Sequence, residues 1–186
     1  MDDAEFKLLE KSESDVAKQK EDIKEKLKEY YYTIKDFLKQ YCDMKDEYYV
    51  IIPLWILGTY FQSHFPSYPY LYFNAMKSSG KTRTMGLIIS LSKEGQMLNS
   101  LTEAVLFRTT GTLGIDEFEG VERKGKEGLR ELLNSAYKKG VSVKRVKKIK
   151  SDKGEEQVIE EFDVYRPIVM ANIWGMENVL EDRCIS

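Results

Sequence analysis

Two rows of apolar residues with a seven-residue spacing run along the first part of the chain. The first row consists of Val16, Ile23, Tyr30 and Phe37. Lys20 interrupts the second row, which otherwise consists of Leu27, Ile34 and Tyr41. This spacing predicts one long amphipathic helix that begins near residue 13. Two interpretations of its apolar stripe stay open: packing on the same domain, which we favour, or an intermolecular coiled coil.

A stretch without formal charge follows at residues 48–76. Its densest apolar part, residues 49–61, is shorter than the roughly 20 residues that a membrane span needs, and it contains Pro53 and Gly58. We therefore expect a buried helix over residues 46–64 and no membrane contact. Residues 1–64 are then a helical segment, and residues 65–186 form the second domain.

Strand patterns and helix patterns alternate beyond residue 65. Strands are predicted at residues 70–74, 97–99, 112–116 and 168–171. Helices are predicted at residues 82–91, 102–108 and 127–138, and residues 141–165 read as a β-hairpin. The alternation predicts an α/β domain with a mostly parallel sheet flanked by helices.

Composition and charge narrow the possible functions. The chain has 186 residues, 32% of them charged, and a net charge of −2, so contact with nucleic acid requires a local basic site. The two cysteines, Cys42 and Cys184, fit neither a disulfide framework nor a metal-ligand spacing, which indicates a reducing compartment and a cytoplasmic protein. His64 is the single histidine, and we interpret it as structural.

A candidate phosphate-binding loop lies between the strand at residues 70–74 and the helix that follows. Backbone N–H groups of such a loop, together with a helix N-terminus, bind phosphate. Lys81 would reach the β and γ phosphates, and the Thr82 hydroxyl would bind Mg²⁺. The residues predicted to contact the nucleotide are Ala75, Met76, Lys77, Ser78, Ser79, Gly80, Lys81, Thr82 and Arg83. The alternative is an ordinary turn with an exposed lysine.

A second candidate motif ends the strand at residues 112–116. Ligands of open α/β sheets lie beyond the carboxyl ends of the strands, so Asp116 and Glu117 would project towards the phosphates. Asp116 would hold Mg²⁺ through its water shell, and Glu117 would deprotonate the attacking water. Gly114 indicates close packing against this strand. Alone, the acidic pair is also compatible with a solvated turn.

Taken together, these motifs resemble the additional-strand, catalytic-glutamate P-loop ATPases of the AAA+ type. More closely, the chain resembles helicase-like ATPases of plasmids, phages and other mobile elements, which often accompany primase domains. The resemblance covers residues 46–186. It rests on "VIIPLWILGTYFQSHF", "NAMKSSGKT", "LTEAVLFRTTGTLGIDEFE", "LRELLNSAYKKGVSVKR" and "RPIVMANIWGMENVLEDRCIS". These relatives tolerate a residue other than glycine at the first loop position, where this chain has Ala75.

The resemblance implies roles for two more residues. Asn172 would contact the γ-phosphate or the lytic water, and Arg183 would act in the ATP site of a neighbouring protomer in a homo-oligomeric ring. The alternatives are a strand-end asparagine in a turn and an arginine in a local ion pair. The implied cofactors are ATP and Mg²⁺.

The predicted hairpin matches in position a hairpin that related ring helicases point into a central channel. Its basic residues, the predicted nucleic-acid contacts, are Lys144, Arg145, Lys147, Lys148 and Lys150. Such cations suit contacts to the phosphates of DNA that are insensitive to sequence. The opposing possibility is cross-strand neutralisation by Glu155, Glu156, Glu160 and Glu161.

In the relatives the chain continues into a further strand beside the loop strand and then a helical lid. We expect both to be missing here, because the sequence stops three residues after Arg183. This suggests either a fragment or a minimal protein. The expected function is that of an ATP-driven motor on nucleic acid. The alternatives are a nucleotide-dependent regulator that binds a partner through its heptads, and an assembly module without hydrolysis. A small-molecule kinase is disfavoured.

Overall fold

A computed structural model describes residues 3–74, 80–99, 101–116, 127–151, 154–172 and 178–186. The helices are α1 (Asp3–Tyr41), α2 (Tyr48–Thr59), a 3-10 turn (Gln62–His64), α3 (Lys81–Leu91), α4 (Glu103–Arg108), α5 (Glu127–Ala136) and α6 (Asn178–Glu181). The strands are β1 (Tyr70–Asn74), β2 (Gln96–Leu98), β3 (Leu113–Ile115), β4 (Ser142–Ser151), β5 (Gly154–Asp163), β6 (Ile168–Asn172) and β7 (Cys184–Ile185). Two compact units divide the chain, Met1–Leu57 and Gly58–Ser186.

The first unit contains the predicted long helix, which begins earlier than expected. The α1 helix spans 39 residues. Near its end Leu38 is fully buried, and the Tyr49 hydroxyl donates a hydrogen bond to the Cys42 carbonyl over 2.6 Å. In contrast, Val16 and Ile23 are exposed. The stripe that we expected to pack on its own domain is therefore covered towards residue 38 and uncovered towards residue 16.

The second unit is an α/β domain built on a parallel sheet, which confirms the predicted class. Its five strands lie in the order β2-β3-β6-β1-β7, and every neighbouring pair is parallel. The predicted β-hairpin is also present, as the antiparallel pair β4 and β5. Among the described residues, no helix combines the length and the apolar character that crossing a membrane requires.

Helices cover both faces of the sheet. On one face, alternate residues of β1, β3 and β6 join α5 residues such as Leu129 and Leu132 in the main apolar core. On the other, Ile89 of α3 lies so close to β3 that a Cβ at Gly114 would come within 2.7 Å of its Cγ1 atom. The prediction of close packing at Gly114 is confirmed, because the side chains of Ile89 and Met97 occupy the space that a Cβ would need.

The end of the chain corrects one expectation. We expected no strand beside β1 after Arg183. Instead, β7 pairs with β1, with Cys184 opposite Tyr70 and Ile185 opposite Leu71. The amide of Tyr70 also donates to the Arg183 carbonyl over 2.9 Å. The expectation was wrong because two residues are too few to display the alternation by which strands are recognised. Pairing with β1 defines this strand.

Candidate functional site

Three strands deliver polar residues to the same edge of the sheet. Asn74 ends β1 and lies in register with Asn172, which ends the adjacent β6. On the other side of β6, Ile115 ends β3 in register with Met170, and Asp116 follows. Because parallel strands present their carboxyl ends together, this edge is the expected ligand-binding side of the domain.

A left-handed glycine precedes α3. Gly80 immediately precedes the helix with φ of 82° and ψ of 7°, the left-handed region that glycine adopts without steric cost. Lys81 is the first residue of α3 and is half-buried. The Thr84 amide donates to the Gly80 carbonyl over 3.0 Å, which closes the first turn. The Gly80 side of this turn carries no side-chain cap.

One hydrogen bond joins the two predicted metal-binding residues. The Thr82 hydroxyl donates to the Asp116 Oδ2 atom over 2.7 Å, although 34 residues separate them in sequence. The Asp116 amide donates to the Leu98 carbonyl over 3.2 Å, which fixes the backbone beside β2. Two different elements thus place a hydroxyl oxygen and a carboxylate at one point.

This pair fits a magnesium ion. A threonine that donates its proton to a carboxylate keeps its oxygen lone pairs for a cation, and Mg²⁺ in proteins is commonly held by one or two such ligands plus waters and substrate phosphates. Among the described residues, no group of three or more His, Cys, Asp or Glu side chains could hold a metal ion by itself.

Several predicted site residues lie outside the described residues. They are Glu117, Ala75, Met76, Lys77, Ser78 and Ser79. Asn172 is described by its backbone alone, at the carboxyl end of β6. Arg83 is exposed on the first turn of α3. The described part of the site therefore consists of Gly80, Lys81, Thr82 and Asp116, with the end of β6 beside them.

Arg183 contacts its own chain. Its Nη1 atom donates to the Asn134 Oδ1 atom over 2.7 Å, and its guanidinium carbon lies 4.9 Å from the centre of the Tyr137 ring. Both partners belong to the segment that includes α5, and sequence reasoning did not identify them because about 50 residues separate them from Arg183. These contacts hold the residue that precedes β7. A role in a neighbouring protomer stays a prediction.

The cations of the hairpin are partly paired. Arg145 contacts the Glu103 carboxylate of α4 over 2.8 Å, and Lys147 contacts Glu160 over 2.8 Å. Lys144 lies opposite Glu161 in the antiparallel register. Cross-strand neutralisation, which the sequence left open, is therefore realised for Lys147, and Arg145 is neutralised by a carboxylate that sequence reasoning missed. No local pattern links Glu103 to the hairpin.

The opposite edge of the sheet holds a cavity of about 300 Å³. Arg166 lies in its wall, nine-tenths or more buried, and donates to the carbonyls of Val164, Asp163 and Thr109. Burial lowers the pKa of Arg166, and the nearby Asp163 carboxylate opposes that shift. Because its donors are directed to backbone oxygens, Arg166 connects the end of α4 to the start of β6 and does not belong to the Thr82 site.

No protein-family model matches this chain, and no curated protein matches it significantly.

Proposed function

We propose that this chain is the core of an ATP-hydrolysing P-loop motor that forms a homo-oligomeric ring and acts on nucleic acid, in the manner of a replicative helicase or initiator. The observation that carries the proposal is the hydrogen bond of 2.7 Å between Thr82 and Asp116. It combines the first turn of a helix that follows a left-handed glycine with a carboxylate at the end of a neighbouring strand. That combination is what a magnesium-bound triphosphate requires.

The strand order supports the same assignment. β6 lies between β1, which precedes the loop, and β3, which precedes the acidic pair. The class of ATPases that the chain resembles is named for such an additional strand in the sheet. In this order β6 ends with Asn172 between β1 and β3. From there its side chain would contact the γ-phosphate or the attacking water, as the resemblance implies.

Each residue then has a defined task. Lys81 binds the β and γ phosphates and offsets their negative charge, while the N–H groups at the start of α3 orient them. Thr82 and Asp116 would hold Mg²⁺, which supplies charge neutralisation on the phosphate oxygens. Glu117 takes the proton of the attacking water, and Arg183 of an adjacent protomer would stabilise charge on the transferred group.

The test is ATP hydrolysis by the full chain, with and without single-stranded DNA. Glu117→Gln is expected to abolish hydrolysis while nucleotide binding remains, because the amide cannot accept the proton. The matched control is Glu131→Gln on the exposed side of α5, which is expected to leave the rate unchanged. If the natural chain binds no ATP in the presence of Mg²⁺, the proposed function is wrong.

A second candidate is a nucleotide-dependent assembly or regulatory ATPase that does not translocate on nucleic acid. The ion pairs of Arg145 with Glu103 and of Lys147 with Glu160 favour it, since paired cations release fewer counterions from a phosphate backbone. It predicts nucleotide-dependent oligomerisation without stimulation by DNA.

Salt dependence separates the two candidates. If the hairpin contacts DNA, Lys144→Gln lowers the slope of log affinity against log salt by about 1, as expected for one lost phosphate contact. Lys138→Gln, an exposed lysine outside the hairpin, serves as the control. An unchanged slope in both variants favours the assembly ATPase.

A further inference from the structure

A buried arginine lacks an ionic partner at the edge of the sheet opposite Thr82. Arg166 leaves only 6% of its surface exposed. Its hydrogen bonds end on neutral oxygens, namely the carbonyls of Val164, Asp163 and Thr109 and the Thr109 hydroxyl. None of the ion pairs among the described residues involves it. Because a buried charge without a counter-charge is costly, an anion would stabilise this guanidinium.

The same guanidinium keeps a donor for such an anion. Each Nη atom of an arginine carries two N–H groups. The Nη1 atom of Arg166 donates to both oxygens of Thr109, whereas Nη2 donates to the Asp163 carbonyl over 3.2 Å and has no second acceptor among the described residues. The Asp163 carboxylate does not take this place, since its Oδ1 atom accepts from the Tyr165 amide over 2.9 Å.

Two further cations line the cavity of about 300 Å³ in whose wall this arginine lies. They are Lys93 and Arg108, both exposed. Arg108 donates to the Ala104 carbonyl of its own helix over 3.2 Å, and no contact of the Lys93 ammonium group is seen in the described part of the chain. Glu94 and Asp163 are the carboxylates of the lining, so three cations and two anions leave the cavity with a net positive charge.

We propose that this cavity binds a phosphate group, either as free phosphate or as part of a small phosphorylated molecule. The three cations belong to three different segments, so they can approach a tetrahedral oxyanion from different sides. The guanidinium fork of arginine also matches phosphate geometry. The hydroxyl of Thr110, another lining residue, adds a neutral donor. The volume lies at the lower end of the roughly 300–1,000 Å³ that is typical of small-molecule sites.

The cavity is separate from the proposed ATP site. Thr112 and Pro167 line it and directly precede β3 and β6. Asp116 and Asn172 lie at the other ends of these two strands. At about 3.3 Å per residue, the five residues of β6 place its ends roughly 13 Å apart. All lining residues belong to the second unit, and the proposal does not depend on ATP hydrolysis.

Amide NMR signals of the full chain, recorded without nucleotide and without Mg²⁺, test the site. Potassium phosphate is added and compared with potassium chloride and potassium acetate at equal ionic strength. We expect saturable shifts at Gly111 and Thr112, which line the cavity, with phosphate and not with chloride. The absence of a saturable shift with phosphate, or equally tight binding of acetate, overturns the proposal.

Substitutions of the exposed cations provide the second measurement, because Arg166 itself supports the fold through its carbonyl contacts. Arg108→Gln and Lys93→Gln are each expected to raise the dissociation constant for phosphate about tenfold, as for one lost hydrogen bond to a charged group. Lys138→Gln, an exposed lysine outside the cavity, is the matched control and is expected to leave the constant unchanged. A constant that neither cavity substitution changes, or that the control raises equally, contradicts the proposal.

Lys81→Gln separates this site from the proposed ATP site. It removes the lysine predicted to contact nucleotide phosphates and is expected to leave the phosphate-induced shifts at Gly111 unchanged. If the shifts disappear in Lys81→Gln, phosphate occupies the other site and the cavity proposal is wrong, whereas the proposed ATPase function is not affected.

Ribose 5-phosphate identifies the source of the phosphate group. Phe107 and Pro167 give the cavity apolar surface that suits the organic part of a ligand. Tighter binding of ribose 5-phosphate than of inorganic phosphate supports the site and assigns it to a small phosphorylated molecule. Equal or weaker binding supports the site and assigns it to free phosphate.

Discussion

The Thr82 hydroxyl donates a hydrogen bond to the Asp116 carboxylate over 2.7 Å, and it thereby joins the first turn of α3 to the end of β3. Thr82→Val removes the donor of this hydrogen bond. At the proposed site, this change is expected to weaken Mg²⁺-dependent binding of ATP by about 10- to 100-fold. That is the usual cost of losing a group that ligates or orients a metal. Binding of a fluorescent ATP analogue, measured with and without Mg²⁺, provides the readout.

Two variants calibrate that measurement. Thr82→Ser keeps the hydroxyl and is expected to retain most of the affinity. Thr84→Val makes the same chemical change one half-turn further along α3 and is expected to have no effect on the magnesium dependence. Equal losses from Thr82→Val and Thr84→Val would show that the effect is on α3 itself.

A pair of glycine substitutions tests the packing of α3 on the sheet. Gly114→Ala would bring its new Cβ within 2.7 Å of Ile89 and 2.6 Å of Met97, so we expect a loss of about 1–3 kcal/mol in the free energy of unfolding. Gly86→Ala lies within α3, where an added Cβ meets nothing within 4 Å, and is expected to stabilise the protein by about 0.5–1 kcal/mol. Urea unfolding of both variants checks the opposite signs.

A double-mutant cycle tests the contact of Arg183 with its own chain. Arg183→Ala and Asn134→Ala each remove one side of the hydrogen bond of 2.7 Å. The coupling energy is expected to be about 0.5–3 kcal/mol, because the donor is charged and the two groups touch. Unfolding of both single variants and the double variant gives this value. Additive effects would mean that Arg183 is not held by Asn134 in solution.

The Cys184 thiol predicts a pH dependence of stability. Burial raises the pKa of Cys184 from 9.0 to about 12, with the Glu181 carboxylate acting in the same direction. Between these values the native thiol keeps its proton while the unfolded thiol has lost it. The unfolded state therefore binds fewer protons, and the free energy of unfolding falls as the pH rises through this window.

Urea unfolding measures that dependence. The natural chain and Cys184→Ala are compared at several pH values from 9 upwards. The decline is expected to be less steep in the variant, by at most about 1.4 kcal/mol per pH unit. Burial also raises the pKa of Tyr70, so part of the decline remains in both proteins. Identical slopes would contradict the assignment to Cys184.

Much of the fold was accessible from local patterns. The turn at Gly80, the helix that begins at Lys81 and the hairpin of β4 and β5 each depend on residues that are close in sequence. The same is true of Thr102, the N-cap of α4, whose hydroxyl accepts a hydrogen bond from the Val105 amide over 3.2 Å. Helix starts and tight hairpins are local because a few backbone dihedrals and nearby hydrogen bonds define them.

The sequence by itself determined the α/β class, the glycine turn into α3 and the acidic strand end, because periodicity and turn chemistry are properties of neighbouring residues. Only the tertiary structure decided that Thr82 bonds to Asp116, that Arg145 pairs with Glu103, and that the last residues form β7 beside β1. Each of these contacts joins residues at least 34 positions apart. Such pairings follow from the order of strands in the sheet and from helix packing, which no local pattern records.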